Sequence, residues 1–191
     1  MKITGGQLRG RTLKVPKNAH IRPSTEKIRE AIFSSLGEDI IDADIADLFC
    51  GSGALGLEGI SRGAKTALFL DSDSAAVNTV RENISALGLE SRCRAMIANI
   101  LHLRPSKLEP YGIIFADPPY KKRYAEILLL SLQKSRWHGI LILEHESEWE
   151  YRSSEFKVLR RLDFGDSAVS ILFKSDETVK LDEMEKGSEN D

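Results

Sequence analysis

The most constraining feature of this chain is a short apolar run that ends in closely spaced glycines. Ile45-Ala46-Asp47-Leu48-Phe49 leads into Cys50-Gly51-Ser52-Gly53-Ala54-Leu55-Gly56, after which a helical pattern continues to about Arg62. The spacing G-x-G-x-x-G between a strand and a helix brings backbone close to a ligand and points free helix N–H groups at it. The unit then recurs in outline. Thr66–Asp71 reads as a second strand, and Ser74–Leu87 as a helix with Val77, Val80, Ile84 and Leu87 on one face and a stop at Gly88. Further strands are expected at Arg94–Ala98, Gly112–Ala116 and Gly139–Glu146, with a helix from Tyr124 to Ser135. Phe156–Phe164 and Ala168–Lys174 read as a β-pair turned through Gly165-Asp166. The first five strands are expected to alternate with helices. The implied fold is α/β: a seven-stranded, mostly parallel sheet with helices on both faces and a terminal antiparallel hairpin.

With 191 residues, 41% of them hydrophobic and 29% charged, the chain suits one globular domain with a sizeable core. Residues 1–20 are Gly-rich and basic and form too few apolar contacts for a core of their own, so a small N-terminal β-arm lying on the main domain is expected. The main α/β body spans 21–174 and opens with an entry helix over 24–36, capped by Ser24 or Thr25 after Pro23 and ended by Gly37. Residues 175–191 are acidic and expected to be disordered. The basic head and acidic tail cancel to a net charge of −2. Cys50 and Cys93 lack metal-ligand spacing, no metal site is expected, and a reducing cytoplasm fits. Met1–Gly6 has no apolar segment of the signal-peptide kind, and no run approaches the roughly 20 apolar residues of a membrane span.

A second motif carries chemistry. Asp117-Pro118-Pro119-Tyr120 follows the apolar strand Gly112–Ala116. Each proline fixes φ and lacks a donor, so the pair makes a stiff corner at a strand's carboxyl end. It offers a carboxylate, a carbonyl at Pro118 and an aromatic face at Tyr120, which together suit a flat base with an exocyclic amine. Alone, the corner fits equally a turn that only ends a strand. Asp47, four residues before Gly51, favours a cationic ligand such as the amino-acid end of S-adenosylmethionine over a pyrophosphate at the turn Gly51-Ser52-Gly53. Asp71, 71 − 51 = 20 residues after Gly51, has the spacing of a carboxylate that takes ribose hydroxyls. Asp73 is its rival, or the cap of the next helix. Asn99 fits either the flank of an adenine or an ordinary turn. Arg9 and Arg11 on the arm, Arg22 beside Pro23, and the cluster Lys121-Lys122-Arg123 are candidate phosphate contacts. Arg22, Thr25 and Arg29 fit a structural role as well as one toward cofactor or RNA. His145 has no cysteine or serine partner in the pattern and reads as structural.

Four stretches carry a family resemblance: Ile3–Arg11, Arg22-Pro23-Ser24-Thr25 through Glu30, Asp47–Glu58, and Asp117–Tyr120. On these the chain resembles the RsmD-type methyltransferases, which act on the N2 amine of guanine-966 of 16S ribosomal RNA. The resemblance implies a Rossmann-like class I S-adenosylmethionine-dependent fold and that cofactor. It implies that Asp47 and Gly51–Gly53 hold the methionine part, that Asp71 takes the ribose, and that Asp117, Pro118 and Tyr120 take the guanine, with Pro119 completing the motif. The implied partner is 16S RNA in the small subunit or its assembly intermediate, met by a cytoplasmic monomer. The family pairs Asp or Asn with Ala near the adenine, whereas this chain reads Ala98-Asn99-Ile100. DNA or protein amino-methyltransferases and a non-catalytic RNA-binding assembly factor are the alternatives. A dinucleotide-dependent oxidoreductase is disfavoured by Asp47 and the Pro-Pro corner.

Overall fold

A computed structural model describes residues 1–16, 26–120, 123–150 and 154–176. The helices are α1 (Glu26–Leu36), α2 (Ala54–Ser61), α3 (Ser74–Leu87) and α4 (Tyr124–Gln133). The strands are β1 (Asp44–Leu48), β2 (Thr66–Asp71), β3 (Cys93–Ile97), β4 (Ile113–Ala116), β5 (Gly139–Glu146), β6 (Lys157–Phe164) and β7 (Ser167–Lys174). They form one sheet in the order β3-β2-β1-β4-β5-β7-β6. The first five strands pair in parallel, while β7 is antiparallel to both β5 and β6.

The expected alternation fails once. Between β3 and β4 the chain makes only two 3-10 turns, Ile100–His102 and Pro105–Lys107. Pro105 and Pro110 sit in this short connection, and each removes a donor that a helix would need. The expected entry helix is present as α1; Ser24 and Thr25, its expected caps, and Arg22 lie outside the described residues, as does the acidic tail beyond Asp176. Among the described residues no helix is long and apolar enough to cross a membrane.

Strand alternation divides the core between the two faces of the sheet. Ile45, Phe69, Ile113 and Phe115 pack on one face with α1, α2 and α3; Ala46, Leu48, Ile114 and Ala116 pack on the other with α4 and Trp137. Asp47 shares the parity of Ile45, so its side chain is directed under α2. That single consequence of period two governs the site described below.

The N-terminal arm is a small hairpin, with Lys2 bridged to Thr12 and Leu13 N–H bonded to the Met1 carbonyl. It is not solvated. Ile3 and Leu13 are buried in the core shared with α1 and α2. Glu58 on α2 is fully buried and accepts from Thr4 N–H at 2.8 Å, the Thr4 hydroxyl at 2.7 Å, Gly5 N–H at 2.8 Å and Arg62 Nε at 2.9 Å. Arg29, 1% exposed, lies 3.8 Å from the same carboxylate and donates to the Lys2 carbonyl at 2.8 Å. Arg29 is therefore structural. At Gly6 a Cβ would stand 1.9 Å from the Ser61 carbonyl oxygen, so only glycine permits the arm to lie this close to α2.

Removing one partner of a buried ion cluster leaves the other charge uncompensated. Glu58→Ala is expected to lower the unfolding free energy by about 3–5 kcal/mol, read from the urea midpoint at unchanged slope. A loss below ~1 kcal/mol would show that the arm is held by its apolar packing and its bonds to Ser61 and Asn83 without the ion cluster.

Candidate active site

The site lies where the strand order reverses. β1 pairs with β2 on one side and β4 on the other, so the crevice past their carboxyl ends is the ligand-binding position of an open α/β sheet. Leu48 is level with Ala116, and Ala116 with Leu143. The glycine turn after β1, Asp71 at the end of β2, the Pro-Pro corner after β4 and the polar end of β5 therefore stand side by side. Neighbouring strands are about 4.8 Å apart, which places the two sequence motifs on adjoining loops.

Hydrogen bonds from backbone N–H groups to two acids shape the glycine turn. Asp71 Oδ2 accepts from Gly51 N–H at 3.0 Å, and its Oδ1 accepts from Asp73 N–H at 2.9 Å. Asp73 in turn caps α3, accepting from Ala75 N–H at 2.8 Å; of the two rivals, Asp71 is the one facing the turn. Asp47 Oδ2 accepts from Gly56 N–H at 2.9 Å, one of the free donors in the first turn of α2. Gly56 serves packing: a Cβ there would stand 2.3 Å from the Phe69 ring. A Cβ on Gly51 would meet nothing within 4 Å, so the space above the turn is open. Phe49 holds φ at +57°, uncommon for a bulky residue, and its ring stacks on Tyr124 at 5.9 Å. This backbone strain sits at the strand-to-turn junction, between the two motifs.

Asp47 departs from expectation in one respect. It is 3% exposed, and burial pushes its carboxyl up to about 8; the Gly56 N–H pulls it down, and the nearby Asp71 raises it further. It thus lies beneath the turn instead of lining the open space. Ser52 is buried as well, its hydroxyl directed at the Met1 sulfur and its carbonyl taken by Asn83 Nδ2 at 3.2 Å. Asn83 also exchanges two bonds with the Lys14 backbone, so the arm braces the turn from behind. Asn99 is exposed and caps the 3-10 turn through Leu101 N–H at 3.1 Å, the ordinary-turn arrangement.

Beside the Pro-Pro corner is a cleft of about 210 Å³, walled by Pro118, Pro119, Tyr120, Tyr124, Glu144 and Trp149 among others. Tyr120 donates its hydroxyl to Glu144 Oε1 at 3.3 Å. Burial, with the Glu144 charge next, pushes the phenol up to about 12. Asp117, which precedes the wall residue Pro118, is half-buried and is not itself among the residues lining the cleft. His145 is buried: Nδ1 donates to the Glu146 carbonyl at 2.8 Å, and Nε2 accepts from the Ser170 hydroxyl at 2.7 Å. Burial lowers its pKa, and with both nitrogens engaged it is a structural, neutral imidazole.

The basic candidates do not all gather here. Arg123 is strongly exposed at the cleft mouth and pairs with Glu126 at 3.2 Å. Arg9 and Arg11 are exposed at the turn of the arm, which rests on Ser61 at the C-terminal end of α2. The glycine turn is at the other end of that helix, roughly 12 Å away at ~1.5 Å per residue. Arg11 also donates to the Ala86 carbonyl at 3.2 Å. Arg22, Lys121 and Lys122 lie outside the described residues. Among the described residues no group of acids, histidines or cysteines could hold a metal ion. Glu144, Tyr124 and Trp149 were not singled out from the sequence; the polar end of β5 was the available signal.

Comparison with known proteins agrees with this architecture. The family model described as conserved hypothetical protein 95 matches residues 1–173. The Escherichia coli protein named ribosomal RNA small subunit methyltransferase D is 35% identical over 151 residues, 78% of this chain and 76% of that one. The Bacillus subtilis protein YlbH is 31% identical over 182 residues, 91% of this chain and 99% of that one. The solved structure of Escherichia coli yhhF superposes with a TM-score of 0.80 at 31% identity, covering 92% of this chain and 98% of that chain.

The unfolded chain titrates an aspartate near ~3.9, against about 8 for folded Asp47. Between these values the folded state binds more protons, so stability falls as pH rises, by up to ~1.4 kcal/mol per pH unit. Asp47→Asn keeps an acceptor for Gly56 and removes the titration. Its stability is expected to gain on the wild type from pH 5 to pH 8 in urea titrations; parallel curves would contradict the assignment.

Proposed function

The chain belongs to this family, the RsmD-type methyltransferases of small-subunit ribosomal RNA, and from that premise we propose that it methylates the N2 amine of a guanine in 16S RNA, guanine-966 by resemblance, using S-adenosylmethionine. The observation that carries the proposal is the placement of the glycine turn and the Pro-Pro corner on adjoining strand ends at the switch point. One loop suits a nucleoside with a cationic tail, and the other an aromatic amine.

The residues fit the cofactor. The open space above Gly51, the Gly51–Gly53 backbone and the two acids offer polar groups to both of its ends. Asp71 is assigned to the ribose hydroxyls. Asp47 acts from below: a cationic α-amino group above the turn favours its ionised form against the cost of burial. S-adenosylmethionine supplies a methyl group on a sulfonium, an electrophile that needs no metal to react.

Everything else falls to the amine. The lone pair of guanine N2 is delocalised into the ring, which makes it a weak nucleophile. Asp117 and the Pro118 carbonyl accept its two hydrogens and favour a pyramidal nitrogen with the lone pair aimed at the methyl; Tyr120 stacks on the ring. Positioning is the main catalytic effect. A carboxylate of ordinary basicity is a poor base for a neutral amine, so the proton leaves after the nitrogen has become cationic. The target must leave its stack to reach the corner, and the exposed Arg123 stands where its phosphates would pass. Arg9 and Arg11 would meet RNA farther from the reacting base. A cytoplasmic monomer acting on the small subunit or its assembly intermediate completes the reading.

Mass mapping of 16S RNA from cells lacking the protein tests the reading: N2-methylguanine should disappear from one position and return when purified protein and cofactor are added. Unchanged RNA would overturn it. Asp117→Ala is expected to lower methyl incorporation by about 10²-fold or more, with cofactor affinity by calorimetry changed only a few-fold. Equal loss of both would refute the division of roles between the two loops.

A further inference from the structure

We propose that Glu144 is the residue that selects guanine, its carboxylate accepting the N1–H of the target base next to the amine held at the Pro-Pro corner. The inference rests on the reading of that corner as an amine site. It begins from a deficiency in the corner itself. A carboxylate and a carbonyl accept from any exocyclic amine, so Asp117 and Pro118 alone cannot distinguish guanine from adenine or cytosine. Discrimination has to come from a group that meets the neighbouring ring position.

Glu144 occupies the place for such a group. Ala116 is level with Leu143, so the next residues along the two strands are Asp117 and Glu144. Glu144 is 6% exposed, yet it lines the cleft with Pro118 and Tyr120, and the Tyr120 hydroxyl fixes it at 3.3 Å. His145 uses both ring nitrogens on Glu146 and Ser170, and Glu126 pairs with Arg123 at the exposed mouth.

The chemistry then separates the bases. An ionised carboxylate only accepts. Guanine presents N1–H beside its N2 amine on one edge, so both neighbouring donors find acceptors. Adenine presents the N1 lone pair beside N6, and cytosine the N3 lone pair beside N4, and each would face Glu144 acceptor to acceptor in a buried wall. A site built to hydrogen-bond a donor rejects an analogue lacking it far more strongly than an apolar pocket rejects a change of shape.

2-Aminopurine isolates this contact, because it keeps the N2 amine and replaces N1–H with a lone pair. Methyl incorporation is measured on matched RNAs carrying guanine or 2-aminopurine at the target position. The wild type should prefer guanine by about 10²-fold or more in kcat/KM. Glu144→Gln, whose amide both donates and accepts, should bring the ratio toward one by accepting 2-aminopurine better. A wild type indifferent to the change, or a variant that loses activity on both RNAs with the ratio intact, would overturn the proposal. Should the variant not fold, 2,6-diaminopurine in the wild type decides: it shares the N1 lone pair and must be rejected like 2-aminopurine. Absence of methyl transfer to guanine itself would instead sink the amine-site reading, which keeps the two failures distinct.

Discussion

Parallel pairing of β1 with β4 is the constraint on which the rest of the molecule depends. It brings Leu48 level with Ala116, so the two loops that leave these strands must begin side by side. Neither loop can drift far from that start. Two prolines stiffen one, and the other is tied by Gly51 to Asp71 and by Gly56 to Asp47. A reaction that depends mainly on orienting two partners needs such rigid, adjoining platforms. The strained Phe49, stacked on Tyr124, links the turn to the helix that follows the corner.

The glycine turn is also braced from outside the sheet. Asn83 joins it to the Lys14 backbone, and Glu58 gathers Thr4, Gly5, Arg29 and Arg62 around one buried carboxylate. The basic arm thereby serves the fold before it serves any partner. Its Gly-rich sequence is explained at Gly6 by close backbone contact with Ser61, while Arg9 and Arg11 remain on its outer side.

Much of this was legible in the sequence because it is local. Thr66–Asp71, Ser74–Leu87 and Gly139–Glu146 begin and end where periodicity and the Gly88 stop place them. The absent helix between β3 and β4 breaks the alternation expected of the first five strands, and Pro105 and Pro110 are the local signal against it. Asp47 is legible as an acid just before the glycine turn, but its burial follows from strand parity together with the close packing of α2 on Phe69, which spacing does not report. Glu144 was invisible for a different reason. It lies far from Asp117 in sequence, and only the β4–β5 register makes them neighbours. The distance of Arg9 and Arg11 from the glycine turn likewise depends on how the arm docks, not on their charge.

A crystal structure with S-adenosylhomocysteine, the demethylated product, tests the central claim most directly. The account predicts the amino-acid end above Gly51–Gly53, the ribose on Asp71 and the sulfur facing Pro118 across the strand gap. An adenosine lodged between Tyr120 and Trp149, or a ligand held away from the glycine turn, would contradict it.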